Sequence, residues 1–294
     1  MTFAESAELK QVRPGISVIV APFRGYSLTQ AMMQSLSEQN ANPDRIEIIS
    51  VRNKKYDELS QVAASPKDHR DLRIQNIFAP DAELSDLIKI GLATATFEHV
   101  VLVDPDDWVS PGLLTRFLKN VHEQQIVAPT IAESVDYALP NLATVDTRNL
   151  RSITGTPVSA FEARWALRFL TGLLLEKHKL FEAISVVGCT GPSDVLATAT
   201  YCVRYAPRVL ALSPEEDAIY FRRAWSVRER PIELELPAEM NERIQGVKLL
   251  KALQSTSDED TAKFCGYLVR LEETRLANYS KEHPVDYARL TAAR

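Results

Sequence analysis

Short apolar runs alternate with amphipathic segments along the first 120 residues of the chain. The apolar runs are rich in β-branched residues, as buried strands are, and lie at Ile16–Val20, Ile46–Val51, Leu72–Ile77 and Val100–Val103. Between and after them, apolar residues recur at helical spacing over 28–36, 84–95 and 113–118. This alternation predicts an α/β fold with a mainly parallel, Rossmann-like sheet flanked by helices. Ligands of such sheets bind outside the carboxyl ends of the strands.

The second half of the chain gives weaker signals. Prolines interrupt residues 121–160, which predicts loops and irregular strands along a substrate cleft. Beyond them we expect helices over 160–180 and from Ser193 to about Tyr205, strands over 208–212 and 217–225, and helices over 239–254 and 258–280. The predicted organisation is a polar leader over 1–13, a main domain over 14–230 and a C-terminal helical region over 231–294.

Composition narrows the possible function classes. The 294 residues carry a net charge of −5 at pH 7, so there is no basic field to hold a nucleic acid. No apolar run reaches the roughly 18 residues of a membrane helix, and residues 1–13 lack the apolar core of a signal peptide. The three cysteines do not form a CxxC pair, which favours reduced thiols. We therefore expect a cytoplasmic protein with at most peripheral contact with the inner face of a membrane.

Three carboxylates follow the fourth predicted strand. Asp104, Asp106 and Asp107 come directly after Val100–Val103, and we call residues 104–107 the acidic segment. Oxygen ligands at a strand end suit a hard divalent cation, Mn²⁺ or Mg²⁺. Such a cation can clamp a diphosphate and neutralise the charge that builds on it as it departs. A solvated turn is the alternative, because Asp-Pro-Asp also favours turns.

The acidic segment belongs to an ordered set of motifs. Gly91 lies in the helix before the strand, and Ser110-Pro111, the predicted N-cap and first turn of the next helix, follows the acids. Far upstream stands the strand Ser17–Val20. This order resembles glycosyltransferase family 2, whose members have the GT-A fold, and is loosely similar to transferases of wall teichoic acid and other cell-envelope glycans. The resemblance is continuous over residues 14–120 and looser to 228.

The resemblance implies a reaction and its cofactor. It implies an inverting glycosyltransferase that moves a hexose or N-acetylhexosamine from a nucleoside-diphosphate sugar, a UDP-sugar by preference, to a hydroxyl of a cell-envelope glycan or polyol-phosphate polymer. By the family pattern, Asp106 would be the chief ligand of Mn²⁺ or Mg²⁺. Asp104 would flank the nucleotide and the metal, and Asp107 matches a neighbouring acidic position.

The resemblance also implies a nucleotide pocket. Phe23 would line the base. The family has acids after the second strand, whereas residues 52–57 here contain Asn53, which would hydrogen-bond a base edge. Arg222 or Arg228, in the stretch that resembles the family's closing motif, would bind the diphosphate by charge-assisted hydrogen bonds. A solvated basic strand edge is the alternative for these arginines.

Two residues are assigned to the acceptor side. An inverting transferase needs a carboxylate that takes the proton from the acceptor hydroxyl, and the resemblance assigns this role to Asp194. The alternative is local: Ser193 as N-cap and Asp194 as a first-turn acid would stabilise the start of a helix, and both roles can hold together. Trp108 would either stack on a sugar or pack in the core.

Other functions stay open at this point. The missing acids after the second strand are compatible with a non-catalytic, partner-binding subunit that keeps the fold. A nucleotidyltransferase is a further alternative, although Pro22–Gly25 is a poor phosphate-binding loop. The apolar residues of 231–294 would pack on the main domain or form the seam of a homo-oligomer.

Overall fold

A seven-stranded sheet runs through the centre of the protein. The computed structural model describes residues 13–21, 26–53, 73–82, 84–104, 107–121, 125–134, 155–187, 194–213, 217–223 and 237–292. The strands among these residues are β1 (Arg13–Val20), β2 (Ile46–Arg52), β3 (Arg73–Phe78), β4 (Phe97–Val103), β5 (Trp108–Val109), β6 (Gln125–Ala128), β7 (Thr130–Ser134), β8 (Leu174–Glu176), β9 (Arg208–Ala211) and β10 (Ile219–Arg223). The central sheet has the order β3–β2–β1–β4–β8–β6–β9, and a small second sheet has the order β5–β10–β7.

Strand direction in the central sheet is mainly parallel. β1 pairs in parallel with both β2 and β4, β2 with β3, and β6 with β9. Only β8 runs antiparallel to its neighbours, β4 and β6, among the strands described. The predicted α/β fold with a mainly parallel sheet is therefore confirmed. The strand order reverses at β1, because β2 and β3 lie on one side of it and β4 on the other.

Helices cover both faces of the central sheet. Within the described ranges they are α1 (Tyr26–Ser37), α2 (Leu84–Thr94), α3 (Leu113–Lys119), α4 (Lys177–Val187), α5 (Asp194–Tyr205), α6 (Pro237–Thr256), α7 (Glu259–Glu282) and α8 (Pro284–Ala292). Alternate residues of a strand point to opposite faces, so Val101 and Val103 of β4 pack with side chains of α1 and α3. Val100 and Leu102 pack in the larger cluster, which receives side chains from α2 and from α4 to α7.

The C-terminal helices share the core of the sheet. Leu250, Phe264 and Leu268 are at most 1% exposed and belong to the same apolar cluster as Val100. An ion pair joins α6 to α7, with 2.7 Å between Nη1 of Arg243 and Oε2 of Glu272. The predicted C-terminal helical extension is confirmed, and its described apolar residues pack largely in cis. The boundary between 230 and 231 lies outside the described residues and stays a prediction.

Several predicted elements agree with the structure. The helix predicted to end near Tyr205 is α5, the strands predicted near 208–212 and 217–225 are β9 and β10, and the two predicted C-terminal helices are α6 and α7. Helix α8 is an additional element at the end of the chain. The polar leader predicted over 1–13 lies outside the described residues except for Arg13, which begins β1.

The single long helix predicted over 160–180 is wrong. This region contains a 3₁₀ turn (Ala166–Arg168), strand β8 and the start of α4. Gly172 has a φ of +82°, a left-handed conformation that stops a right-handed helix. Leu174–Glu176 pairs with β4, so long-range pairing in the sheet overrides the local helical spacing.

Two further expectations are corrected. Residues 125–128 are not irregular, because they form β6, a buried strand between β8 and β9. Ser110 is not the N-cap of α3, which begins at Leu113 after Gly112 and has no side-chain cap. The Ser110 hydroxyl instead donates to the distant Asp217 carbonyl. Because of this competing partner, Ser110 does not cap the helix.

Two cysteines lie in the core as free thiols. They are Cys202 and Cys265. Burial raises the pKa of both thiols, that of Cys265 to about 11. Neither is therefore a reactive thiolate at neutral pH, which agrees with the expectation of reduced cysteines.

None of the helices in the described part of the chain is both long and apolar enough to cross a bilayer.

A buried histidine lies near the amino end of β4. His99 is 6% exposed, and neither ring nitrogen has a hydrogen-bond partner in the described structure. The register places it opposite Glu176 of β8. Burial lowers the pKa of His99, against the opposing effect of the Glu176 and Glu98 carboxylates, while Lys179 and His178 lower it further. His99 is therefore neutral at pH 7.

We predict that His99 makes the fold sensitive to mild acid. Its pKa is lower in the folded than in the unfolded chain, so the unfolded state binds more protons as the pH falls below the ordinary value of about 6.5. The free energy of unfolding should fall from pH 7.5 to 5.5, by at most about 1.4 kcal/mol per pH unit from this group. In His99→Gln that fall should be shallower, as measured by urea denaturation.

The matched control is His178→Gln, since His178 is 53% exposed on α4. It should change the pH dependence less than His99→Gln does, because His178 is only a minor contributor to the lowered pKa of His99. Equal slopes for wild type and His99→Gln would show that His99 is not the group responsible.

Candidate active site

The site lies where the strand order of the sheet reverses. β1 and β4 run side by side in the same direction, with Val20 opposite Val103. The chain therefore leaves both strands at one point, through Ala21 and Asp104. In open α/β sheets the crevice outside such a reversal is the common place for a ligand. The acidic segment begins in this crevice.

The main chain of the acidic segment is held at both ends. The amide of Asp104, which is half-buried, donates to the hydroxyl of Tyr220 at 3.1 Å. The carbonyl of Asp104 accepts from the amide of Asp107 at 3.2 Å, which closes a turn. Asp107 is 1% exposed. Asp106 lies outside the described residues, so its assignment as a metal ligand stays a prediction.

The residues after the acidic segment are tied to the second sheet. Val109 and Trp108 pair with Tyr220 and Phe221 of β10. Ser110 then forms two hydrogen bonds with Ile219, the first residue of β10. Its amide donates to the Ile219 carbonyl at 2.9 Å. Its hydroxyl accepts from the Ile219 amide at 2.9 Å. The two ends of this contact are more than 100 positions apart in sequence, so no local motif predicts it.

Two polar residues complete the bracing, and sequence reasoning missed both: Ser35 of α1, and Gln39, two positions after that helix ends. Gln39 is 4% exposed; its amide donates to the Ser110 carbonyl at 2.7 Å, and its carbonyl accepts from the Leu114 amide at 3.0 Å. The Ser35 hydroxyl accepts from the Val109 amide at 3.2 Å. The available signal was that both are polar residues at the end of an apolar helical pattern, where buried polar groups need partners.

Trp108 packs inside the protein. It is 3% exposed and forms a small cluster with Ala132, Ile219 and Phe221. Its ring stacks on Phe221 with 6.0 Å between the centroids. Of the two predicted roles of Trp108, packing in the core is therefore the one that the structure shows. The indole joins β5 to β10 through its contact with Phe221.

Asn53 follows β2, one strand away from the reversal point. It is 3% exposed, and its side-chain amide donates to the Ala82 carbonyl at 2.8 Å. The contact ties the ends of β2 and β3 together. The side-chain amide is therefore used within the protein, and the contact of Asn53 with a base stays a prediction.

Asp194 is the first residue of α5. Helix α5 ends at Tyr205, and Arg208 begins β9 three positions later, so the end of α5 lies at the amino end of β9. β9 runs in the same direction as β4, because β9 is parallel to β6 and both β6 and β4 are antiparallel to β8. Asp194 precedes Tyr205 by eleven positions, about 16 Å along a helix, and therefore lies toward the carboxyl edge of the sheet, where Asp104 follows β4.

The remaining predicted nucleotide contacts are only partly described. Arg222 lies in β10, two positions after Tyr220, and pairs with Glu133 of β7. Phe23 and Arg228 lie outside the described residues. The described structure thus contains five of the predicted site residues around the strand ends: Asn53, Asp104, Asp107, Asp194 and Arg222.

The donor atoms at the strand end fit a hard divalent cation. Asp104 and Asp107 offer carboxylate oxygens only, the ligand type that Mg²⁺ and Mn²⁺ prefer. Across the described ranges, no group of three or more His, Cys, Asp or Glu side chains is arranged to hold a metal. A cation bound here would therefore need further ligands, from Asp106 or from the oxygens of a diphosphate.

Comparison with known families decides the class. Residues 17–148 match the sequence profile of Glycosyl transferase family 2. The chain carries a family 2 glycosyltransferase domain. This match begins within β1 and contains β2 to β4 and the whole acidic segment, so the resemblance and the transferase class expected from the sequence are both confirmed. A comparison with curated proteins gave no match.

Solved structures agree with the GT-A fold of this transferase domain. TarS of S. aureus, residues 1–349 in complex with UDP-GlcNAc, is 16% identical over 92% of this chain and 74% of that one, with a TM-score of 0.64. The mannosyltransferase PcManGT from Pyrobaculum calidifontis, in complex with GDP-Man and Mn²⁺, is 16% identical over 96% and 81%, with a TM-score of 0.54. At this identity the likeness establishes the fold.

We predict that Gln39 is required for a stable transferase domain. Gln39→Met keeps the length of the side chain but leaves the Leu114 amide without its acceptor in a buried place, while the Ser110 carbonyl keeps the Leu113 amide at 3.2 Å. A buried donor without a partner costs about 1–3 kcal/mol, so the free energy of unfolding should fall by about that amount in urea denaturation.

Gln34→Met on α1 provides the matched control. Gln34 is exposed, and its side chain donates to the Glu38 carboxylate at 2.9 Å. The substitution should change stability by less than about 0.5 kcal/mol. Equal losses in the two variants would refute the bracing role of Gln39.

Proposed function

We propose that this protein is an inverting transferase of a hexose or N-acetylhexosamine from a UDP-sugar to a hydroxyl of a cell-envelope glycan or polyol-phosphate polymer. The observation that carries the proposal is the position of Asp104. It leaves the central strand of a family 2 domain at the reversal point, where a nucleotide ligand is expected. Asp104 is half-buried there, and its main chain is fixed by the Tyr220 hydroxyl.

The choice of uridine has its support in the neighbouring structures. TarS with UDP-GlcNAc has a higher TM-score than the mannosyltransferase with GDP-Man, 0.64 against 0.54. The carbonyl oxygen of Asn53 offers an acceptor for an N–H on the base edge. Phe23 would provide an apolar wall for the same base.

Asp106 and Asp104 are the proposed ligands of Mn²⁺ or Mg²⁺, with Asp107 fixed beside them. A divalent cation bound there would supply positive charge to the departing diphosphate. Arg222 and Arg228 would add charge-assisted hydrogen bonds to the same phosphates. The PcManGT complex with Mn²⁺ supports a metal in this fold.

Asp194 is the proposed general base. An acceptor hydroxyl attacks the anomeric carbon from the face opposite the diphosphate, and its proton passes to the Asp194 carboxylate as the new bond forms. The bond to the diphosphate oxygen breaks in the same step, so the configuration inverts. The position of Asp194 at the amino end of α5, on the carboxyl edge of the sheet, supports this role.

The acceptor side determines where the reaction takes place. A cell-envelope acceptor would bring this enzyme to the inner face of the cytoplasmic membrane through peripheral contacts.

Leu249 of α6 remains 45% exposed while its neighbour Leu250 is buried in the core. The homo-oligomer seam expected over 231–294 would therefore use only those apolar residues that are not already packed in cis.

We predict metal-dependent binding of UDP. Calorimetry with the wild-type protein should give at least tenfold tighter binding of UDP with Mn²⁺ than without it, and Asp106→Ala should abolish that difference. Asp286→Ala on α8, whose carboxylate is 45% exposed, is the control and should behave as wild type. A wild-type protein that binds no UDP with or without Mn²⁺ would contradict the proposal and favour a non-catalytic, partner-binding subunit.

We further predict that Asp194→Asn separates catalysis from donor binding. Loss of a general base costs about 10²- to 10⁴-fold in rate, so sugar transfer or donor hydrolysis should fall in that range while the affinity for UDP is unchanged. Ser193→Ala is the control, because it removes the alternative cap and keeps the base. If Ser193→Ala lowers the rate as far as Asp194→Asn does, Asp194 acts only in starting the helix.

A further inference from the structure

Tyr220 contacts the acidic segment from the second sheet. It is a fully buried residue of β10, at 0% exposure. Its hydroxyl accepts the hydrogen bond from the Asp104 amide at 3.1 Å. In β10 it pairs with Val109 on one side and with Ile131 on the other. One side chain therefore joins the end of the central sheet to the middle of the small one.

The ring of Tyr220 is fixed by a glycine. A Cβ added to Gly172 would lie 2.9 Å from the ring, closer than side-chain carbons approach, and Gly172 has a φ of +82°. The Gly172 amide donates to the Leu102 carbonyl at 2.8 Å. The ring is thus packed against a residue that is itself bonded to β4, two positions before Asp104.

The same tyrosine constrains both ends of the acidic segment. Asp104 is held through the hydroxyl, and the residues after Asp107 are held because Val109 and Trp108 pair with Tyr220 and Phe221. β10 continues after Tyr220 to Arg222, which we propose binds the diphosphate. The same strand would therefore hold both the cation ligands and the arginine that binds the phosphates.

We propose that Tyr220 is a positioning residue for the acidic segment. Its hydroxyl fixes the direction of the Asp104 carboxylate and thereby raises the affinity for a nucleoside diphosphate that carries a divalent cation. The proposal rests on the proposed function, since it assumes that the acidic segment binds this complex. It goes beyond that function by assigning a role to a residue that touches neither donor nor acceptor.

The test is Tyr220→Phe, which removes one oxygen and keeps the ring on Gly172. Residues that orient metal ligands typically contribute about 10- to 100-fold in metal affinity. Calorimetry should show about tenfold weaker binding of UDP in the presence of Mn²⁺, and little change in its absence. Tyr201→Phe is the control, because Tyr201 is also buried, at 1% exposure, and belongs to a different apolar cluster from Tyr220. It should bind UDP as wild type does.

The outcomes separate this proposal from the function on which it rests. Wild-type binding of UDP that does not depend on Mn²⁺ refutes the proposed metal site and the positioning role together. Metal-dependent binding that is unchanged in Tyr220→Phe refutes the positioning role alone. An equal loss with and without Mn²⁺, together with a lower melting temperature, assigns Tyr220 a merely structural role and also overturns the proposal.

A second measurement does not depend on the variant. In the wild-type protein, amide hydrogen exchange at Asp104 should be slow, because its N–H is bonded to a buried hydroxyl. Rapid exchange at Asp104 beside slow exchange at Leu102 would show that the hydrogen bond is absent and would overturn the proposal.

Discussion

Main-chain groups that leave a sheet inside a protein must find new hydrogen-bond partners, because a buried unpaired amide or carbonyl is costly. The chain meets this constraint directly after Val103, where β4 ends beside β1. The Asp104 amide finds the Tyr220 hydroxyl, and the Ser110 carbonyl finds Gln39. The acidic segment can therefore leave the sheet at this place because β10 and Gln39, just after α1, provide hydrogen-bond partners for its main chain and for Ser110.

The opposite edge of the same sheet meets its constraint in a different way. Glu47 of β2 is 1% exposed; one of its carboxylate oxygens accepts from the Ser17 hydroxyl at 2.7 Å and from the Thr96 amide at 2.6 Å. These bonds join β1, β2 and the start of β4 within the protein itself. The amino edge is thus closed by its own side chains, whereas at the carboxyl edge the main chain of Asp104 is bonded to Tyr220 and the residue stays half-buried. Under the proposed function, the sheet would be stabilised at one edge and bind its ligand at the other.

The sequence predicted those parts of the fold that depend on local periodicity. The strand that ends at Val103 and the helix that begins at Asp194 follow from apolar spacing and capping. The spacing of Gly91 from the acids was also informative, because a Cβ there would lie 2.5 Å from Cγ2 of Ile19, so only glycine lets α2 approach β1. Family resemblance then assigned a chemistry to these positions.

What the sequence did not predict depends on contacts between distant positions. Strand β8 was taken for part of a helix, because its three residues gain their conformation from pairing with β4. Ser110 was expected to cap a helix, whereas Asp217 and Ile219, more than 100 positions later, use its hydroxyl. Tyr220 and Gln39 have no motif of their own. Their roles follow only from the three-dimensional proximity of α1, β10 and the end of β4.

The central claim is that the end of β4, supported by β10, binds a nucleoside diphosphate together with a divalent cation. The most direct test is a crystal structure of the protein with UDP and Mn²⁺, with the cation located by its anomalous scattering. The account predicts one strong anomalous peak beside the carboxylates of the acidic segment, in contact with the diphosphate, outside the ends of β1 and β4. A structure with UDP bound at another place, or with no Mn²⁺ at the acidic segment, would contradict it.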